Sequence, residues 1–195
     1  MLTARIHFVA RIRALSAVLL FSSVLPASAV NPNAANQPSE SDVEAVYLFD
    51  FGKFVRWPAA ADQGVLRICV AGSQTFAAAL QKTVANENIG GRPLDVRLMM
   101  HPADEAGCAI LFIESTEHAH VDELLQAVAT RPTLTVSDMP DFLSRGGMIQ
   151  FQVVEKHVRF SVDLNAVNRA HLTMSSELLK VALSVKGRLQ EGGAQ

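Results

Sequence analysis

The chain has 195 residues, of which 49% are hydrophobic, enough apolar side chain to build a buried core and too much for a disordered polymer. Its 17 basic against 19 acidic residues lack the basic surplus of a nucleic-acid binder. Two cysteines, in neither CxxC nor zinc-type spacing, exclude the common redox and structural-metal motifs.

Arg5, His7, Arg11 and Arg13 precede an apolar run over residues 14–25, which gives way to Pro26 and Ala27-Ser28-Ala29. This basic, apolar, small-residue order is that of a secretory signal peptide, and the run is shorter than the roughly 20 residues a spanning helix needs. The mature chain is therefore expected to start near Val30 as an exported soluble protein. Without residues 1–29 it carries 14 basic and 19 acidic residues, a net charge of −5. The polar, proline-punctuated stretch that follows predicts a disordered leader over 30–40, ahead of one domain over 41–190.

In the domain, Ser41 and Glu44 suggest a capping box for a helix carrying Val43, Val46, Tyr47, Phe51, Phe54 and Val55 at three-and-four spacing. Pro58 should end that helix at Trp57. Residues 47–58, YLFDFGKFVRWP, hold three of the ten Phe with the only Tyr and Trp. The core stripe accounts for Val43, Tyr47, Phe51, Phe54 and Val55, whereas Leu48, Phe49 and Trp57 do not fit the same face. Such a helix is either buried on two sides or presents a patch to a partner.

A strand over 65–70, a turn at Gly72-Ser73 and a helix over 74–84 come next. Further strands are expected over 94–100 and 109–113, the latter apolar enough for burial on both faces. A helix over 121–129, a strand over 133–136 and a short helix capped by Asp138 continue the series. This β-α-β alternation favours a three-layer α/β/α sandwich with a mostly parallel, Rossmann-like sheet. Residues 148–154 and 157–162 alternate around Glu155-Lys156 as a β-hairpin. Helices over 165–170 and 175–188 close the chain.

An exported chain with two cysteines usually pairs them, the alternative being two buried free thiols. In a sheet of order 2-1-3-4 the first and third strands are neighbours, which makes a Cys69–Cys108 bridge geometrically reasonable. The turn at residues 71–76 lacks a phosphate-cradling glycine pattern, and no GxSxG elbow is present. His118 and His120 beside Glu117 read as a polar turn rather than a metal site, and Asp138 as a cap rather than a catalytic acid. No enzyme, metal or cofactor is expected from these residues.

Taken in order, residues 48–58, Ile68-Cys-Val-Ala-Gly72, residues 107–113, Leu134-Thr-Val-Ser-Asp138, Gly146-Gly-Met-Ile149, Val158-Arg-Phe160 and Ser175-Ser-Glu-Leu-Leu179 resemble the YfiR-like proteins. The resemblance implies a periplasmic α/β protein that binds the periplasmic domain of an inner-membrane diguanylate cyclase and represses it. It also implies release by an outer-membrane-associated partner or by oxidative damage to disulfides. Some members have a second cysteine pair near the hairpin; this chain has none, so control through a second bridge does not carry over. A homodimer is compatible with the sequence.

The repressor reading needs an exposed apolar surface, for which Trp57, Met148 and Phe151 are the candidates. A second reading, a small-ligand sensor working with another membrane protein, needs polar groups in a pocket. Arg56, Arg159, Arg169 and His171 supply donors for an anion or a ring ligand, ordinary surface charge being the alternative.

Overall fold

The computed structural model describes residues 38–59, 61, 64–101 and 107–188. The expected signal peptide and residues 30–37 of the leader lie outside the described residues. Helix α1 (Glu40–Phe54) starts on an N-cap at Ser39, whose Oγ accepts the Asp42 amide at 3.2 Å while Asp42 Oδ2 accepts the Ser39 amide at 3.0 Å. The capping box is thus Ser39 and Asp42, not Ser41 and Glu44, because the helix begins inside the expected leader. Glu44 lies a turn further on and is buried.

After α1 come β1 (Val55–Arg56), β2 (Leu66–Ala71), α2 (Gln74–Thr83), β3 (Asn88–Ile89), β4 (Arg92–Leu98) and β5 (Ile110–Ile113). They are followed by α3 (Val121–Val128), β6 (Leu134–Ser137), β7 (Ile149–Val154), β8 (His157–Asp163), α4 (Leu164–Arg169), β9 (Thr173–Met174), α5 (Ser176–Val181) and β10 (Ser184–Lys186). One eight-stranded sheet runs β10-β8-β7-β6-β5-β2-β4-β3. Within it β4, β2, β5, β6 and β7 are parallel, and β3 and β8 pair antiparallel with their neighbours. The succession β4-β2-β5-β6 is the expected 2-1-3-4 order.

Strand alternation sorts the sheet's side chains into two cores. Leu66, Ile68, Val70, Phe112 and Val136 pack with Leu48 and Phe51 of α1 and Phe76 and Leu80 of α2. Cys69, Ala71, Leu111 and Ile113 pack with Val121 and Leu124 of α3 and with Phe142. All four residues of β5 and of β6 are buried, as expected for strands covered on both faces. The fold is a mixed α/β arrangement, a mostly parallel sheet flanked by helices.

The aromatic stretch is explained by α1 being buried on more than one side. It contacts α2, α5 and β8, so its apolar surface is wider than one stripe. Phe51 is fully buried, with its ring 5.1 Å from that of Phe160, 5.8 Å from Phe151 and 5.9 Å from Tyr47, centroid to centroid. Leu48 is fully buried too, whereas Val46 is exposed and Phe54, expected on the core stripe, only half-buried. Trp57, Met148 and Phe151, read as exposed partner-binding residues, are all buried. Phe151 follows Ile149 in the inward alternation of the hairpin's first strand, Met148 immediately precedes that strand, and Trp57 packs into the core formed with α1, α2 and the sheet.

Of the expected helices, one does not form and another is cut short. Residues 138–146 are turns: Asp141 and Gly146 sit at φ of 65° and 99°, outside the helical region. Asp138 does not cap there but takes the Ser115 amide at 2.6 Å and its hydroxyl at 2.9 Å. The segment 175–188 is α5 followed by β10, which runs parallel to β8. The open edge of β8 overrides the helical periodicity, since Leu183 donates to the Phe160 carbonyl at 2.7 Å and Lys186 Nζ reaches Asp163 at 3.3 Å. The hairpin forms as expected, with Glu155 and Lys156 both at positive φ, 51° and 66°, in a two-residue turn.

Candidate functional site

Doubly wound sheets usually bind ligands at the carboxyl ends of their strands. Here that end is filled by the chain's own carboxylates. Glu114, just after β5, accepts the Ser73 amide through Oε2 and its hydroxyl at 3.1 Å through Oε1, and so occupies the amino terminus of α2 where an anion would sit. A side chain at Gly72 would collide with Glu114, which accounts for the glycine in this turn. Burial pushes the Glu44 carboxyl up to about 8, reinforced by Asp138, Glu40 and Glu114.

That shift has a consequence for stability. Below pH 4.5, the usual value for the group, both folded and unfolded chains hold the proton. Between 4.5 and about 8 the unfolded chain releases it while the folded chain retains it, so stability falls as pH rises across that window. Glu44→Gln removes the titration. At pH 8 it is expected to be more stable than wild type by about 2 kcal/mol after solvent screening, with a flatter profile down to pH 5. Denaturant unfolding of both proteins at several pH values checks this; parallel profiles would contradict it.

The opposite, amino end of the sheet carries an open cleft. Strands β1 and β9 form a separate antiparallel pair with Val55 opposite Met174 and Arg56 opposite Thr173. This short ladder sets Arg56 beside the end of α4. There His171 donates to the Asn168 carbonyl at 3.0 Å and Leu172 to that of Val167 at 3.2 Å, a Schellman termination with His171 at φ 56° where glycine is usual. Arg169 is the last residue of α4. The result is a cleft of about 700 Å³ lined by Arg56, Trp57, Arg131, Pro132, Arg169 and His171.

Trp57 forms a fixed wall of the cleft. It is 7% exposed, and its Nε1 donates at 3.2 Å to the Ala109 carbonyl at the entrance to β5. Of the four residues expected to take an anion, the cleft brings together Arg56, Arg169 and His171. Arg159 is elsewhere: it lies on β8 and donates to the Val181 carbonyl at 3.4 Å. Arg131 was not expected in the site; its signal was its place just before a strand, in a loop that shares the amino end of the sheet. Two or more guanidinium groups around one cavity suit a carboxylate or phosphate, which they can grip through paired N–H donors.

Other sites from the sequence stay apart from the cleft. His120 Nδ1 lies 3.1 Å from Glu117 Oε2, and among the described residues no three His, Cys, Asp or Glu side chains are grouped to hold a metal. The exposed apolar side chains are not Trp57, Met148 and Phe151 but include Val153 and Val154 at the hairpin end of β7, Val181 and Leu183 between α5 and β10, and Val185 on β10. Among the described residues no helix is long and apolar enough to cross a membrane.

The fold is similar to that of a conserved domain protein from Vibrio cholerae O1 biovar El Tor str. N16961, with a TM-score of 0.54 at 12% identity. The match covers 76% of this chain and 60% of that one, so this chain spans about three-fifths of its length. At that identity the likeness is one of fold. A family model described as YfiR/HmsC-like matches residues 41–183, from the second residue of α1 to the residue before β10. The chain belongs to the YfiR/HmsC-like family.

Proposed function

We propose that this protein is a non-enzymatic periplasmic repressor that binds the periplasmic domain of an inner-membrane diguanylate cyclase and lowers cyclic di-GMP signalling. Membership supports the coarser part of this reading, a periplasmic regulator in diguanylate cyclase signalling. The observation that carries the site is the convergence of Arg56, Arg169 and His171 on one cleft walled by Trp57. On a mature chain of net charge −5, a local cationic cleft runs against the overall field and so selects for an anionic group. In the repressor that group is a carboxylate of the partner. Release by an outer-membrane-associated protein, and a homodimeric state, belong to the same proposal.

A ligand-sensing module is the second reading, favoured by the cleft's volume of about 700 Å³, which lies within the range of about 300–1,000 Å³ usual for small-molecule sites. In that case a small anion would occupy the position of the partner's carboxylate and regulate docking.

The test uses two variants with different structural consequences. Arg169→Gln removes a charge at an exposed position. His171→Gly relieves the positive φ, so its thermal stability should equal wild type or exceed it by up to about 1 kcal/mol. Both are expected to lose co-purification with the cyclase from solubilised inner membrane and to raise cellular cyclic di-GMP at normal periplasmic protein levels. Wild-type repression by both variants would remove the cleft from the mechanism, and absence of any cyclase in the wild-type eluate would remove the repressor reading.

A further inference from the structure

Residues 183–188 form a strap along the edge of the sheet and against α4. Leu183 donates to the Phe160 carbonyl at 2.7 Å, and β10 runs parallel to β8 with Ser184 opposite Ser161 and Lys186 opposite Asp163. Every residue of β10 is exposed, whereas Ser161 and Asp163, with which it pairs, are buried. The family match ends at residue 183, so β10 lies beyond the matched residues. Resting on the reading of the cleft as an anion site, we infer that this strap positions Arg169 and His171 through α4, so that seating of the strap and binding of an anion reinforce each other.

The strap grips α4 through Lys186, Gly187 and Arg188. Asp163 Oδ1 caps the helix by accepting the amides of Asn165 at 2.9 Å and Ala166 at 3.3 Å, while its Oδ2 lies 3.3 Å from Lys186 Nζ. Asn168 Nδ2, a turn further on, donates to the Arg188 carbonyl at 3.1 Å. Gly187 packs closely on Asn165: a Cβ there would come within 2.8 Å of Asn165 Oδ1 and 3.1 Å of its backbone nitrogen. The φ of +94° at Gly187 disfavours a side chain as well, so the seated strap needs glycine for both conformation and contact.

The other end of the same helix belongs to the cleft. Arg169 is the last residue of α4, and His171 follows in its Schellman turn. With six residues, α4 is about 9 Å long and too short to hold itself in water, so its orientation is set by its neighbours. It touches both β9 and β10. The β1–β9 ladder carries Arg56, and the strap is the second clamp. If the strap loosens, α4 can turn and carry Arg169 and His171 away from Arg56; an anion held by Arg56 and Arg169 favours the seated geometry. A three-residue edge strand with exposed side chains is the kind of element that opens locally. Two events that favour one state must favour each other by the same factor.

Citrate serves as the anion probe, read by the fluorescence of Trp57, the only tryptophan and a wall of the cleft. If citrate does not bind the wild-type mature protein, or if Arg169→Gln leaves its binding unchanged, the reading of the cleft fails and this inference falls with it. Where citrate does bind in the cleft, Gly187→Val is expected to weaken it at least about fivefold, with Asn168→Ala acting in the same direction. Neither substitution changes charge, and neither residue lines the cleft. By reciprocity, saturating citrate is expected to slow hydrogen exchange at the Leu183 amide of the wild-type protein by the same factor of about five. The Leu124 amide of α3, which donates to the His120 carbonyl at 3.0 Å, measures general stabilisation and is expected to change less. Wild-type affinity in Gly187→Val, or Leu183 exchange that citrate slows no more than that of Leu124, overturns the strap while the cleft stands. The exchange measurement needs only wild-type protein, so it decides the matter if Gly187→Val does not fold.

Discussion

Replacing Trp57 by alanine is expected to destabilise the domain by about 3–5 kcal/mol, the cost of truncating a large buried aromatic residue. The indole is 7% exposed and belongs to the core formed with α1, α2 and the sheet. Its hydrogen bond to the Ala109 carbonyl contributes less, because that carbonyl also accepts the Leu134 amide at 2.9 Å and keeps a partner when the indole is removed. Packing therefore dominates. Trp57→Phe, which keeps most of the ring volume and loses the N–H, should cost nearer 1–2 kcal/mol. For a domain of this size, 3–5 kcal/mol corresponds to a fall of about 10 °C or more in Tm. Urea unfolding of the two variants beside wild type checks the ranking; a wild-type midpoint for Trp57→Ala would place the indole outside the core.

Trp57 also shows where the sequence stops being legible. Local periodicity predicts α1, but Trp57 follows the helix end, and its burial depends on β1 meeting β9 more than a hundred residues later. A two-residue ladder leaves no period to detect. The central strands were readable because burial on both faces produces continuous apolar runs, as in Ile110–Ile113. The segment after Ser175 has helical spacing, which holds through α5, and the edge of β8 decides for a strand only over Ser184–Lys186.

The candidate site divides the same way. Arginine and histidine types near Trp57 flag anion chemistry in the sequence, and Arg56, Arg169 and His171 do converge. What the sequence could not show was which cations share an end of the sheet. Arg159 faces solvent on β8, while Arg131 enters the cleft from a loop whose position is set by the parallel order of β5 and β6. The carboxyl-end acids were ambiguous for a related reason: that Glu114 reaches Ser73 across 41 residues is a property of the strand order β2-β5.

Loss of the Cys69–Cys108 bridge is expected to lower stability by up to about 4 kcal/mol, the chain-entropy value for a closed loop of about 40 residues. The two cysteines are joined across neighbouring strands, with Cα atoms 5.7 Å apart, inside the usual range for a disulfide. β2 and β5 are already tied by parallel pairing from Ile68–Ile110 to Ala71–Ile113, so the bridge adds little to the geometry of the folded sheet. Its main action is then on the unfolded chain, which it prevents from separating those strands. Reductant access points the same way: Cys69 is fully buried and Cys108 is 5% exposed, with α3 and Phe142 packed in the same core. Reduction of the folded protein should be slow and should accelerate with denaturant in step with unfolding. The double variant Cys69→Ala with Cys108→Ala should show the equilibrium loss directly, together with the cost of two small buried truncations. Thiol labelling provides the independent check: unfolded, unreduced protein from an oxidising compartment should take up no label, and stoichiometric uptake would overturn both the bridge and the stability it is expected to supply.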